Sequence, residues 1–393
     1  MGPLAGIRVL EAAFLIQGPQ AAALLRDMGA DVIKIELPGI GDPCRYIPLS
    51  ADDDRSATFV ACNRGKRSLA LDLRQEKGAD AFRRLVVDAD IVISNFTPGT
   101  LDGWGLGYED LAAINPRIIW AAGSTFGPVG PDADRGGADL AGQAAGGLIS
   151  TTGRDGDLPT PVGAFIADHI GSLNMVAGVL AALHERERSG QGQRIEVSLL
   201  GGQIWAQATE YTHYFLSGKQ PGRANLGHPI IHGIYGLFET SDGWIGIVGV
   251  PPEARDAFFL AVDCPELAVD ERLQGYRLPP PEVLTEAKAQ LRTAFRKRTT
   301  AEWSAILREA GVRYAEVRDY PAAAADPGIW ENGYLAEAAG DDGTPRKVVG
   351  NPIRMSRTPL RPGAIAPEIG EHSEEVLREA GFSEEEIGAI LGL

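Results

Sequence analysis

The chain has 393 residues, of which 44% are hydrophobic and 23% charged, and its formal net charge is −16. That composition is globular, with length for two or three domains and a large core. The acidic balance opposes nucleic acid and anionic lipid, and no run approaches the roughly 18 consecutive apolar residues of a membrane span.

Met1 to Ile7 lacks the basic and then apolar segments of a signal peptide. Cys44, Cys62 and Cys264 are odd in number and far apart, which fits neither a disulfide framework nor a cysteine zinc site. The expected setting is a reducing, cytoplasmic one.

Ile7 to Leu10 reads as a strand, Gln17-Gly18-Pro19 as a turn, and Ala21 to Met28 as a helix that Gly29 ends. Asp31 to Ile35 is the next strand, completing a β-α-β unit with a parallel pair. Ser68–Leu71, Ile91–Ser94 and Ile118–Ala121 continue the strands, with helices over Lys77–Val87 and Tyr108–Ile114. Asp132 to Pro161 is Gly-rich loop around a small-residue helix, Ala138–Ala145. Ile170 to Glu187 has apolar residues at helical spacing, and Gln193–Leu199 alternates as a strand does. The pattern predicts an α/β protein with an open, mostly parallel Rossmann-like sheet, whose ligands bind beyond the C-terminal strand ends.

Gly218 to Pro229 is a Gly/Pro/Asn-rich linker. Beyond it, Ser241-Asp242-Gly243 signals a hairpin, and Thr299 with Glu302 a helix start. Residues 218–325 are therefore read as a smaller α+β domain, inserted between residues 1–217 and a return segment, 326–393, that completes the large domain. Ser383 with Glu386 caps a last helix.

The first strand-turn-helix lacks Gly-x-Gly-x-x-Gly, and the chain has neither a P-loop nor a Gly-x-Ser-x-Gly elbow. His228 and His232 enclose Pro229-Ile230-Ile231; extended backbone would separate them by roughly 13 Å, too far to share a metal. No metal site is expected. Asp168 follows an apolar segment and precedes the most periodic helix. It reads either as that helix's N-cap or as a carboxylate that the helix dipole keeps ionised for nucleophilic attack, with nearby N–H groups as oxyanion donors.

Leu24 to Glu36 with Gly41-Asp42, Asn63 to Leu73, Asn95 to Gly99, Asn115-Pro116-Arg117, Phe126-Gly127, Asp168, Gly190 to Gln193 and Tyr235 to Phe238 occur in that order. In this the chain resembles the family III CoA-transferases, the formyl-CoA and carnitine CoA-transferase group, over nearly its whole length. The resemblance implies that Asp168 attacks an acyl-CoA, passing through an aspartyl anhydride and an aspartyl-CoA thioester. The substrates would be a CoA thioester and a small carboxylic acid, with no permanently bound cofactor, in an interlocked homodimer.

By the same resemblance, Leu15, Ile16, Leu71, Asn95 and Phe96 align with CoA-contacting positions. Lys66 and Arg67 are candidate phosphate partners, and Trp104 either stacks on adenine or packs. The loop His228 to Gly233 lacks the family's glycine run, which points away from formate or oxalate. Two other readings stay open. One is an acyl-CoA racemase, whose Arg-x-Gly-His-Asp segment stands here as Arg135-Gly136-Gly137-Ala138-Asp139, with His169 as a substitute base. The other is a non-catalytic CoA-ester-binding protein.

Overall fold

The computed structural model describes residues 2–274, 278–340, 343–363 and 365–392. The chain divides into two compact units. The first comprises Met1–Gly146, Gly163–Ala206 and Asp326–Leu393; the second comprises Gly147–Val162 and Gln207–Ala325. The second unit thus starts eleven residues before the expected linker at 218 and takes in a segment, 147–162, that the sequence placed with the large domain.

Six parallel strands carry the first unit: β1 (Arg8–Ala12), β2 (Asp31–Glu36), β3 (Arg67–Ala70), β4 (Ile91–Ser94), β5 (Ile119–Ser124) and β6 (Arg194–Ser198). Their spatial order is β3-β2-β1-β4-β5-β6. The central strands β1, β2 and β4 are buried on both faces because helices cover both. Along β1, Leu10 enters a core with Ile33, Leu69, Phe82 and Val92, while Val9 enters the opposite one with Leu25, Ile91, Met175 and Val179. The winding direction reverses between β1 and β4, and the loops after these two strands open the crevice where such sheets take ligands.

The helix Gln17–Asp27 starts four residues earlier than the apolar pattern suggested. So does the long helix, Ile166–Ser189, which puts Asp168 inside the first turn rather than before it. That helix is long and apolar enough to cross a membrane by length and composition. Its Met175, Val176, Val179 and Ala182 are instead core residues against the sheet.

The second unit has an antiparallel sheet of β7 (Tyr235–Glu239), β8 (Trp244–Val248) and β9 (Tyr314–Glu316) in that order. Its core packs Phe238, Phe258, Phe295 and Trp303 with the helices Pro281–Phe295 and Thr300–Glu309. The Thr299–Glu302 and Ser383–Glu386 capping boxes form as their sequences specify. Back in the first unit, β10 (Leu335–Ala339) and β11 (Pro345–Val349) pair as a hairpin. The helices Ser373–Glu379 and Glu384–Leu391 then insert Val376, Leu377, Phe382 and Ile387 into the core beneath β3.

Candidate active site

Beyond the C-terminal ends of β1 and β4, a cavity of about 540 Å³ is walled by the loop Phe14 to Gln17, the loop Asn95 to Pro98, the segment Arg135 to Leu140, and Phe165 with Asp168. Asp168 is only 8% exposed. Among the described residues, nothing donates a hydrogen bond or an ion pair to its carboxylate. Burial, and then the negative charge of Asp139, push its pKa up from 3.8 to about 7.

The sequence reading of this residue is corrected here. Phe165, not Asp168, holds the N-cap position. The N–H groups expected to keep Asp168 ionised are taken by Asp139: its Oδ1 accepts from Ala167 N at 2.7 Å and Asp168 N at 3.4 Å. Gln143 Nε2 donates to Asp139 Oδ2 at 2.6 Å, fixing the carboxylate. Asp139 therefore caps the helix from outside and denies Asp168 the dipole's help. No local signal in the sequence pairs two carboxyl groups 29 residues apart.

The loop after β1 is held under backbone strain. Leu15 has φ 61°, a region that costs a non-glycine residue on the order of 1–3 kcal/mol. Two side chains impose it. Asn95 brackets Phe14, accepting from its N–H at 2.9 Å and donating to its carbonyl at 2.7 Å. Asp42 Oδ1 accepts from Leu15 N at 3.0 Å and from Cys44 N at 2.9 Å. Asp42 Oδ2 pairs with Lys34 Nζ at 2.9 Å, and Lys34 also donates to Glu11 Oε1 at 2.8 Å. Burial works against the charge on Lys34, but the carboxylates of Glu11, Asp42 and Glu36 hold its pKa above the ordinary lysine value. Ile16 then gives the helix Gln17–Asp27 no side-chain cap, and Ile16 and Gln17 both line the same cavity. Gln17 itself is wedged between two glycines. A Cβ on Gly123 would lie 2.2 Å from its Oε1, and one on Gly171 2.7 Å from its Nε2.

An apolar groove of about 300 Å³ adjoins this cavity, sharing Phe14 and Phe96 with it. Leu71, Trp104 and Arg74 also line it, as do the carboxylates of Glu36, Asp42 and Asp72. Phe96 stands between Phe14, at 5.3 Å between ring centroids, and Trp104, at 5.5 Å and edge-on. Of the residues singled out from the sequence, Leu15, Ile16, Asn95, Phe96 and Asp168 meet in the cavity, and Leu71, Phe96 and Trp104 in the groove.

Lys66 and Arg67 do not join them. Lys66 is fully buried, with Nζ donating to Glu11 Oε2, to the Pro19 carbonyl at 2.8 Å and to Asn63 Oδ1 at 2.8 Å. Burial pushes its pKa down to about 8, against the pull of Glu11. No proton is left pointing at solvent for a phosphate. Arg67 opens β3, at the N-terminal end of the sheet, and is spent on Asp31, Glu375 and Glu379. Arg74 lines the groove and pairs with Asp72 at 2.8 Å. His169 lines a different cavity, with Gln20, Leu24 and Ser172. Successive helical residues point about 100° apart, so it does not share Asp168's wall.

The comparisons with known proteins decide the family. The model of CoA-transferase family III matches residues 4–373. The chain belongs to that family. It is a CoA-transferase, 35% identical to the succinyl-CoA:mesaconate CoA-transferase of Haloarcula marismortui, over 97% of each chain. It is 34% identical to the succinate–glutarate CoA-transferase of Agrobacterium fabrum, over 96% of this chain and 95% of that one. A CAIB/BAIF family protein from Brucella suis superposes with a TM-score of 0.84 at 34% identity, covering 96% of this chain and 99% of the other.

Proposed function

We propose that the enzyme moves CoA from an acyl-CoA thioester to a small dicarboxylic acid, with Asp168 as nucleophile. The observation that carries this is a buried, unpaired carboxyl with a pKa near 7, facing a cavity continuous with an apolar groove. The adenine end of CoA is assigned to the groove beside Trp104 and Arg74, and the pantetheine arm to the passage by Phe14 and Phe96. The thioester then lies before Asp168. The dicarboxylate class follows the relatives' substrates: mesaconate, glutarate and succinate.

An Asp168 carboxylate oxygen attacks the thioester carbonyl, the C–S bond breaks, and an aspartyl anhydride and CoA thiolate result. The thiolate attacks the aspartyl carbonyl and expels the donor acid as its carboxylate. The acceptor carboxylate then attacks the aspartyl-CoA thioester, freeing the thiolate once more. That thiolate takes the acceptor's carbonyl from the second anhydride and restores Asp168. A poorly solvated carboxylate is the better nucleophile, which is what burial beside Asp139 supplies. The uncapped N–H groups at the start of the helix Gln17–Asp27 are suited to hold the oxyanion at each addition. Dry walls protect the anhydrides from hydrolysis.

The racemase reading loses support, since Ala138 lines the Asp168 cavity and His169 lines another. The exposed Phe215 and Leu216, 74% and 84% accessible, offer an apolar face for a second copy. The three free, buried cysteines suit a reducing cytoplasm. The test uses wild type and Asp168→Ala, each incubated with succinyl-CoA and hydroxylamine. Wild type should yield an Asp168 hydroxamate by mass spectrometry. The variant should bind CoA yet neither trap nor transfer. Transfer by the variant would remove Asp168 from the reaction.

A further inference from the structure

The second unit has a cavity of about 370 Å³ between the loop 223–233 and one face of the helix Pro281–Phe295. Its charge is unlike that of the chain. The sequence has 53 acidic against 37 basic residues, yet among the described residues no carboxylate lines this cavity, whereas Arg223, Lys288, Arg292 and two histidines do.

Lys288 and Arg292 stand one helical turn apart, with side-chain roots about 5–6 Å from each other. Like charges at that spacing oppose the helix that bears them. Three neighbouring cations of this unit are neutralised. Arg272 pairs with Asp270 and Glu286, Arg296 with Glu239 and Arg298 with Asp263. Glu286, on the same helix as Lys288, is turned to Arg272 instead. Among the described residues, neither Lys288 nor Arg292 has an ion pair or a hydrogen bond. Lys288 is half-buried, and burial and the Arg292 charge both lower its pKa. On the other wall, Arg223 is anchored by donating to the Thr152 carbonyl. His228 is engaged with Glu210 at 3.1 Å.

We propose that this cavity is a binding site for a small dianion with oxygen acceptors, a short dicarboxylate or a phosphate, seated between Lys288 and Arg292. The guanidinium offers a planar fork for two oxygens of one group, and the ammonium a point charge for another. The spacing of the two cations suits a compact anion rather than a long one. The volume lies at the lower end of ligand pockets, which also favours a small occupant. The assignment rests on Lys288 and Arg292 and not on Asp168 as nucleophile.

The test is isothermal titration of the full-length protein at low ionic strength with succinate, inorganic phosphate and, as monoanion control, acetate. Lys288→Gln, Arg292→Gln and the milder Arg292→Lys are measured alongside, with melting curves to verify folding. Asp168→Asn reports on the other cavity. At least one dianion should bind once per chain, acetate at least about tenfold more weakly. Each glutamine variant should weaken the dianion about tenfold, since it deletes one charge-assisted contact, and Arg292→Lys should weaken it less. Asp168→Asn should leave the affinity unchanged. Binding of succinate alone marks a dicarboxylate site, and of phosphate alone a phosphate site. No dianion binding, binding that survives both glutamine variants, or binding lost in Asp168→Asn overturns the proposal.

Discussion

Replacing Asp168 by Asn should stabilise the protein at alkaline pH and much less at acid pH. The folded state holds the Asp168 proton up to about pH 7, whereas an ordinary aspartate releases it near 3.8. Between those values folding takes up a proton. The group's contribution is therefore complete below about pH 4 and is lost as pH rises through 7. At about 1.4 kcal/mol for each tenfold step in proton binding, the whole span is worth about 4 kcal/mol. About 3 kcal/mol of it falls between pH 5 and pH 8. Asparagine has nearly the same shape and does not titrate. Melting curves of both proteins at pH 5, 6, 7 and 8 would show the gap opening by several degrees in favour of the variant as pH increases. A gap that stays constant over this range, or that shrinks with pH, would refute the burial argument.

The transfer rate should rise with pH around a midpoint near 7, and Asp139→Asn should move that limb to lower pH, because the second-largest cause of the raised value is removed; a pH–rate profile of kcat/KM reads both. Lys34→Met leaves the buried carboxylates of Glu11 and Asp42 without their shared cation, and should cost about 3–5 kcal/mol in denaturant unfolding. Trp104→Ala should raise KM for acyl-CoA several-fold while kcat stays within about twofold, since its ring lines the groove rather than the Asp168 cavity; steady-state kinetics separates the two parameters.

All six strands of the parallel sheet are legible because short apolar or alternating runs recur between helical patterns. Strands β10 and β11 are not. Leu335–Ala339 and Pro345–Val349 are mostly Ala, Glu, Lys, Arg and Pro, residues with low strand preference, and pairing alone makes them a hairpin. The sequence singles out Asp168 by its place between an apolar segment and a helix and by the family resemblance, but its electrostatic setting is not legible there. Burial raises its pKa, and Asp139, which folding brings to the same N–H groups, adds to the shift. Adjacent residues also escaped local reading. Lys66 and Arg67 look alike in sequence, yet one ends in a sealed network with Glu11 and Asn63 and the other in an ion cluster at the sheet's far end.

The last two helices carry a consequence for how this enzyme is made. Val376, Leu377, Phe382 and Ile387 fill the hollow under β3, and Ser373 Oγ and His372 Nδ1 accept from the N–H groups of Ala70 and Ser68. On the ribosome, β3 emerges some three hundred residues before the plug that closes it. Until then the edge strand and its apolar underside stand open. The nascent chain therefore passes most of its synthesis as a sticky intermediate, and a late stop codon would release a product prone to clump rather than a slightly shortened enzyme.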